Sequence, residues 1–225
     1  MIPYGKHSIF PEDIEAVTKV LQDGFLTQGE QTPLFEKAVS NYTGARYGVA
    51  CNSGTSGLHI ACLAAGVSRG DLVWTVPNSF AASANCARYC GADVDFVDID
   101  PLTRNLSVSA LEDKLKVAIK NRRLPKLLIV VHFAGSSCDM AAIAKLTTPL
   151  GIALIEDAAH ALGGKDSEGN KVGACKYSLM SVLSFHPVKS ITSAEGGMVV
   201  TNNEKVATLL CRYRSHGISR DPHLF

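Results

Sequence analysis

Ile14, Val17 and Leu21 recur at helical spacing behind Pro11-Glu12-Asp13 and predict an amphipathic helix that Gly24 stops. Gly24-Phe25-Leu26-Thr27-Gln28-Gly29 then reads as a loop carrying two exposed apolar residues between glycines. A second helix is predicted to start at Thr32-Pro33, with proline at a first helical position and Phe35, Ala38, Val39 and Tyr42 as its apolar face. From residue 47 the pattern becomes an alternation of short apolar runs and helical stripes. Residues 47–51 are a strand, followed by a helix with Leu58, Ala61, Cys62 and Ala65 on one face, ended by Gly66. Residues 72–76 are a strand, then a helix runs to about Tyr89, and 93–97 are a strand. A helix from Ser109 has Glu112 three residues on as a capping box. Residues 126–133 form a strand around a continuous apolar run, 141–147 a helix, and 152–155 a strand ending in Glu156-Asp157.

This alternation specifies an α/β fold, a parallel sheet with helices on both faces. Residues 179–185 and 198–201 follow one another with no helical crossover between them, so at least one antiparallel pair makes the sheet mixed. A last helix covers roughly 204–214. With no repeat, low-complexity tract or linker, the 225 residues read as one domain. Hydrophobic content of 46% is enough for a substantial core, and a net charge of +1 gives no electrostatic case for nucleic acid or an acidic membrane. No apolar run reaches the length of a membrane span, and Met-Ile-Pro-Tyr-Gly-Lys is not a signal peptide. The seven cysteines are odd in number and scattered through core-like segments, the usage of a reducing compartment. Cys86 and Cys90 have no second Cys/His pair near them in sequence, so no metal site is expected. These features place the protein in the cytoplasm.

In open α/β sheets ligands bind beyond the carboxyl ends of strands. After the first strand, Ser53-Gly54-Thr55 opens a helix whose N–H groups suit a phosphate, or is an ordinary helix cap. Phe80 after the second strand is a flat face for a ligand, or core packing. Asp157 and His160 after the 152–155 strand face one ligand, or are a capping carboxylate and a satisfied histidine. Ser184, His186 and Lys189 follow the 179–185 strand. Lys189, flanked by Pro187, Val188 and Ile191, loses hydration and becomes an available amine, or is a loop lysine reaching to solvent. Taken together, an anion cradle, an aromatic, a carboxylate and a desolvated lysine at one end of one sheet match pyridoxal 5′-phosphate. That cofactor needs a phosphate site, a stacking face, an acid partner for its ring nitrogen and a lysine for its aldehyde. A Rossmann dehydrogenase is disfavoured, because Asn-Ser-Gly-Thr-Ser-Gly stands where a G-x-G-x-x-G turn is required.

Asn-Ser-Gly-Thr-Ser-Gly-Leu-His at 52–59, Glu-Asp-Ala-Ala-His-Ala-Leu-Gly at 156–163, Ser-Phe-His-Pro-Val-Lys at 184–189 and Glu-Gly-Gly at 195–197 resemble, in order, the motifs of the DegT/StrS-type nucleotide-sugar aminotransferases. The resemblance implies the large domain of the fold type I pyridoxal-phosphate transferases. It implies Lys189 as the residue joined to the cofactor, Asp157 on the pyridine nitrogen, His160 near the ring hydroxyl, Phe80 on the ring, and Ser53, Gly54, Thr55 and Ser184 on the phosphate. It places Tyr4 and Gly24, Phe25, Leu26 and Thr27 near a sugar nucleotide. Ile-Pro-Tyr-Gly (2–5), Phe-Leu-Thr-Gln-Gly (25–29), Val-His-Phe-Ala-Gly (131–135), Cys-Asp-Met (138–140) and Arg-Ser-His-Gly-Ile (214–218) are similar to the branch of pseudaminic acid biosynthesis. There an amino group passes from L-glutamate to the 4-keto carbon of a UDP-sugar, a 6-deoxy amino sugar. The resemblance also implies a homodimer. Residues 1–225 are expected to be the cofactor-binding large domain with an N-terminal substrate loop, the family's small C-terminal domain being absent. The alternatives are an aminotransferase for another keto-sugar nucleotide and a truncated, non-catalytic module. Dehydratase relatives carry histidine where Lys189 stands.

Overall fold

The apolar runs of four or five residues become the strands of one sheet in the computed structural model, which describes residues 5–218. The strands are β1 (Tyr47–Cys51), β2 (Leu72–Thr75), β3 (Asp93–Phe96), β4 (Leu127–Val131), β5 (Ala153–Asp157), β6 (Met180–Ser184) and β7 (Gly197–Thr201). They are ordered β1-β7-β6-β5-β4-β2-β3. Every residue of β4 is buried, as its unbroken Leu-Leu-Ile-Val-Val run requires of a strand covered on both faces. β7 is antiparallel to both β6 and β1, while the β2–β3, β2–β4, β4–β5 and β5–β6 pairs are parallel. The mixed sheet expected from the missing crossover is thus present.

The helices are α1 (Pro11–Asp23), α2 (Gln31–Thr43), α3 (Gly54–Ala64), α4 (Ala82–Tyr89), α5 (Val108–Lys120), α6 (Met140–Thr147) and α7 (Glu204–Arg214). One sheet face is covered by α3, α4 and α7, which contribute Leu58, Ala61, Cys62, Cys86, Ala87, Val206 and Leu210 to a core with Val73, Ile129, Ile155 and Val182. The other face packs Leu111 and Leu115 of α5 and Met140 and Ile143 of α6 on Trp74, Leu128 and Val130. Val39 of α2 joins Ala158, Leu183, Phe185 and Met198 in a third cluster. Each fully buried Leu or Ile here contributes about 1.5–3 kcal/mol. Two glycines bring α3 close to the strand ends. A Cβ on Gly57 would lie 2.9 Å from Val182 Cγ1, and one on Gly197 would lie 2.3 Å from the Ser53 carbonyl oxygen.

Four details depart from the sequence reading. Helix α1 forms as its period predicts, but Ile14, Val17 and Leu21 are 60%, 61% and 65% exposed, so its apolar stripe has no partner among the described residues. Helix α2 begins at Gln31, with Pro33 in its first turn, where a missing N–H costs nothing. Its buried residues are Val39, Ser40 and Thr43, whereas Ala38 and Tyr42 are exposed. Ser40 and Thr43 can be buried because their hydroxyls donate to the Glu36 and Val39 carbonyls, at 2.7 and 3.0 Å. The cap of α5 is Ser107, whose Oγ accepts the Ala110 N–H at 3.2 Å, and not Ser109 with Glu112. β4 stops at Val131, because the chain turns through a left-handed Ala134 (φ 51°) just beyond it. All seven cysteines are free thiols. No helix among the described residues is long and apolar enough to cross a membrane.

Candidate active site

The register brings strand ends to one place. Cys51 and Ser184 each pair with Gly197, and Val131 pairs with Asp157. The turns beyond these residues enclose a cavity of about 620 Å³. It is lined by Ser53, Gly54, Thr55, Phe80, Asp157, His160, Ser184 and Lys189, which are all the residues that the sequence reading assigned to the cofactor. Gly24–Thr27 do not line it, and Phe25 and Leu26 are 83% and 70% exposed. Tyr4 lies outside the described residues.

Ser53 caps α3 with an extended backbone (φ −163°, ψ 160°), and its Oγ accepts the Ser56 N–H at 3.1 Å. The remaining first-turn N–H groups, those of Gly54 and Thr55, are available to an anion at the positive end of the helix. A Cβ on Gly54 would meet Ser184 Cβ at 3.0 Å, so glycine lets this helix end and the end of β6 share one cradle. The Ser-Gly-Thr segment is a helix cap, and it also lines the cavity.

Asp157 closes β5 at 5% exposure. Its Oδ2 accepts the Ser83 hydroxyl at 2.6 Å, and Oδ1 accepts the Ala159 N–H at 3.2 Å. Three residues on, His160 Nε2 stands 2.6 Å from Lys189 Nζ. Burial holds the Lys189 amine below the usual lysine range, with the Asp157 charge opposing it. Burial also holds His160 below the usual histidine range, helped by the Lys189 charge and opposed by Asp157. Two bases that each disfavour a positive charge share one short contact, so at most one proton separates them comfortably. Lys189 is therefore not a solvent-reaching loop lysine.

Phe80 is 77% exposed, so it is not core. Beside it in the cavity wall, Asn78 Nδ2 donates to the Arg104 carbonyl at 2.8 Å, and Asn78 Oδ1 is buried with no partner among the described residues. An exposed aromatic ring and an orphaned acceptor are what a site shows when its ligand completes it. An anion-binding helix end, a free ring face, a buried carboxylate and a lysine of reduced basicity fit pyridoxal phosphate.

Several residues in the cavity wall, or behind it, escaped the sequence reading. Ser83 sits on α4 among Ala82, Cys86 and Ala87, where a serine passes for a small core residue. Asn78 and Ser79 read as ordinary turn residues. His132, 1% exposed, also lines the cavity, and an isolated histidine after an apolar strand gives only a weak signal. Glu195 and His186, which the sequence had already singled out, complete the rim.

The strand order and the lysine-carboxylate cavity define a class, the pyridoxal-phosphate aminotransferase fold, and solved structures agree. Helicobacter pylori PseC, described as an aminotransferase involved in the biosynthesis of pseudoaminic acid, superposes with a TM-score of 0.87 at 32% identity over 98% of this chain and 57% of that one. The Streptococcus pneumoniae putative sugar aminotransferase Spr1654 in its PLP form gives a TM-score of 0.83 at 25% identity over 94% of this chain and 57% of that one. The DegT/DnrJ/EryC1/StrS aminotransferase family model matches residues 7–224, and the chain belongs to that family. It is 42% identical over 218 residues to a UDP-4-amino-4,6-dideoxy-N-acetyl-beta-L-altrosamine transaminase of Campylobacter jejuni, covering 97% of this chain. The chain spans 56% of that relative's length.

Proposed function

We propose that the chain is the cofactor-binding part of a pyridoxal-phosphate aminotransferase that passes an amino group from L-glutamate to the 4-keto carbon of a UDP-linked 6-deoxy amino sugar, a step of pseudaminic acid biosynthesis. The observation that carries this reading is the Lys189–His160 contact in one cavity with Asp157 and the α3 cradle. When bound, pyridoxal phosphate supplies an aldehyde for amine capture and a ring that accepts electron density. Ser53, Gly54, Thr55 and Ser184 would hold its phosphate, Phe80 would offer a stacking face, and Asp157 and His160 would serve the ring nitrogen and the ring hydroxyl.

Lys189 Nζ would be the group that holds the cofactor's aldehyde carbon, and as a free amine it would be the base that removes a proton from the amino donor and the acid that returns it. A lysine held at its usual basicity would stay protonated at neutral pH. Burial beside His160 raises the fraction of free amine. Because one lysine serves the donor and the acceptor in turn, the kinetics are ping-pong. The loop Gly24–Thr27 and Tyr4 contact the sugar nucleotide, and the enzyme works as a cytoplasmic homodimer. Support for the sugar comes from the identity to the altrosamine transaminase.

The test is the visible absorption of the chain with added pyridoxal phosphate, beside Lys189→Ala. A band in the parent that is absent in the variant, and that L-glutamate bleaches, is the expected result. No band in either protein would sink the reading. A band unmoved by glutamate but bleached by another amine would replace the donor.

A further inference from the structure

We infer that Ser83 is a positioning residue for Asp157, holding the carboxylate in place and delivering to it a directed chain of hydroxyls that begins at Ser79. This rests on the assignment of Asp157 to the ring nitrogen made above. Ser83 is 1% exposed on the apolar side of α4, and a hydroxyl so placed must be partnered. It has two close partners, Asp157 Oδ2 at 2.6 Å and Ser79 Oγ at 2.6 Å. A serine has one proton to donate, and an ionised carboxylate has none. Ser83 therefore donates to Asp157 and accepts from Ser79, and the chain runs in a single direction, Ser79 to Ser83 to Asp157 Oδ2. Its last link has the length of a charge-assisted O–H···O⁻ bond. Successive bonds of this kind polarise one another in a buried setting.

The arrangement ties two functions of the cavity wall together. Ser79 immediately precedes Phe80, so the turn that presents the aromatic ring also anchors the hydroxyl chain. With Ser83 on Oδ2 and the Ala159 N–H on Oδ1, the Asp157 side chain is fixed about both oxygens. An oxygen anion that loses a donor competes harder for any proton shared with it. In Ser83→Ala a proton shared between the ring nitrogen and Asp157 therefore moves toward the carboxylate, and the ring loses positive charge. A less positive ring raises the pH at which the bound cofactor's visible band changes form. The other groups coupled to Asp157 are Lys189 and His160 across the cavity, and the His132 backbone N–H donates to the Asp157 carbonyl at 3.1 Å. None of the three hydrogen-bonds the Ser83 hydroxyl among the described residues.

The experiment titrates the visible band of bound pyridoxal phosphate against pH in the parent, Ser83→Ala, Ser83→Thr and Ser79→Ala, with thermal unfolding of each chain before loading. Ser83→Ala is expected to raise the midpoint by about one pH unit and to weaken cofactor binding about tenfold. Ser83→Thr, which keeps the hydroxyl, returns the midpoint to the parent value. Ser79→Ala, at a partly exposed position, gives a smaller shift in the same direction. A loaded Ser83→Ala with an unmoved midpoint overturns the inference. So does an unmoved Ser79→Ala if Ser83→Ala fails to fold. A parent that shows no band overturns the cofactor assignment itself, a different result from a loaded variant that does not shift.

Discussion

Glu156 and Asp157 are consecutive on β5, equally buried at 5% exposure, and built for opposite purposes. Strand alternation sends them to opposite faces of the sheet. Glu156 Oε2 accepts from His132 Nε2 at 2.8 Å, and its Oε1 takes the Ser178 hydroxyl. His132 Nδ1 accepts the Cys138 N–H at 3.1 Å, so the ring keeps its proton on Nε2 and every strong site in the group is used. Asp157 has one hydroxyl and one N–H, and it faces a cavity beside an amine and an imidazole. A saturated buried carboxylate is architecture. One left partly unsatisfied beside a cavity can act on a ligand. Side-chain type and burial alone do not separate the two; the partners do.

The strongest way to test that division lies on the cavity side. Lys189→Ala removes the only amine among the described lining residues, and amino transfer is expected to fall by about 10⁴-fold, measured as product formed per active site. Its melting temperature should not fall. Burial makes the folded chain a poorer proton acceptor at Lys189 than the unfolded chain, so the unfolded state binds more protons between the two midpoints. The lysine's contribution to stability is thus complete above its unfolded midpoint and is lost as pH falls through the folded one. Removing it takes away a cost at neutral pH. A large loss of stability in this variant would mean that the cavity residues are architectural too.

On the opposite face, where Glu156 reaches the cavity only through His132, the larger effect should be on folding. Glu156→Ala leaves the buried His132 Nε2–H and the part-buried Ser178 hydroxyl without their acceptor, a loss of about 1–3 kcal/mol for each by denaturant titration. Asp157→Asn keeps the shape and one acceptor oxygen for the Ala159 N–H, and its amide can donate to the Ser83 hydroxyl oxygen, so it should cost far less. Equal losses from the two would erase the distinction.

What the sequence disclosed follows the same division. Lys189 was legible because Pro187, Val188 and Ile191 surround it locally, and Asp157 because a carboxylate at a strand end has no role in a sheet. The parallel sheet followed from the alternation of periods and its antiparallel pair from the missing crossover before β7, whereas the strand order was not legible, because it depends on pairings between distant segments. Ser83 was invisible because its partner is 74 residues away, and in its own helix it looks like one more small residue. Ser107 and Ser109 both fit a helix start, and only the extended backbone at Ser107 (φ −76°, ψ 116°) decides which caps. The apolar stripe of α1 fixed the helix, but burial depends on what packs there, and period carries no information about that.

A subtler test uses charge reach. Asp157 opposes the burial that holds Lys189 low, so Asp157→Asn should lower the midpoint of Lys189 acylation, followed by competitive labelling with acetic anhydride across pH, by about one unit. The sign follows from removing a negative charge that favours the ammonium form. Glu156→Gln, on the other face, should leave that midpoint in place. A shift of similar size from both variants would mean that the sheet does not insulate its two faces.

The smallest effect concerns Phe80, where fold and site make opposite demands. A phenylalanine 77% exposed contributes little to the core, so Phe80→Ala should change unfolding free energy by less than about 0.5 kcal/mol. If its ring is there to cover the cofactor, the same change should weaken pyridoxal phosphate by roughly 0.5–1.5 kcal/mol, a factor of about two to thirteen in Kd. Phe80→Tyr should keep the affinity, since stacking needs the ring and not the para position. The measurement is cofactor titration by fluorescence, beside a melt of the unloaded chain. A melt that drops while affinity stays constant would put Phe80 with the architecture, and would leave the cavity without a stacking face on that wall.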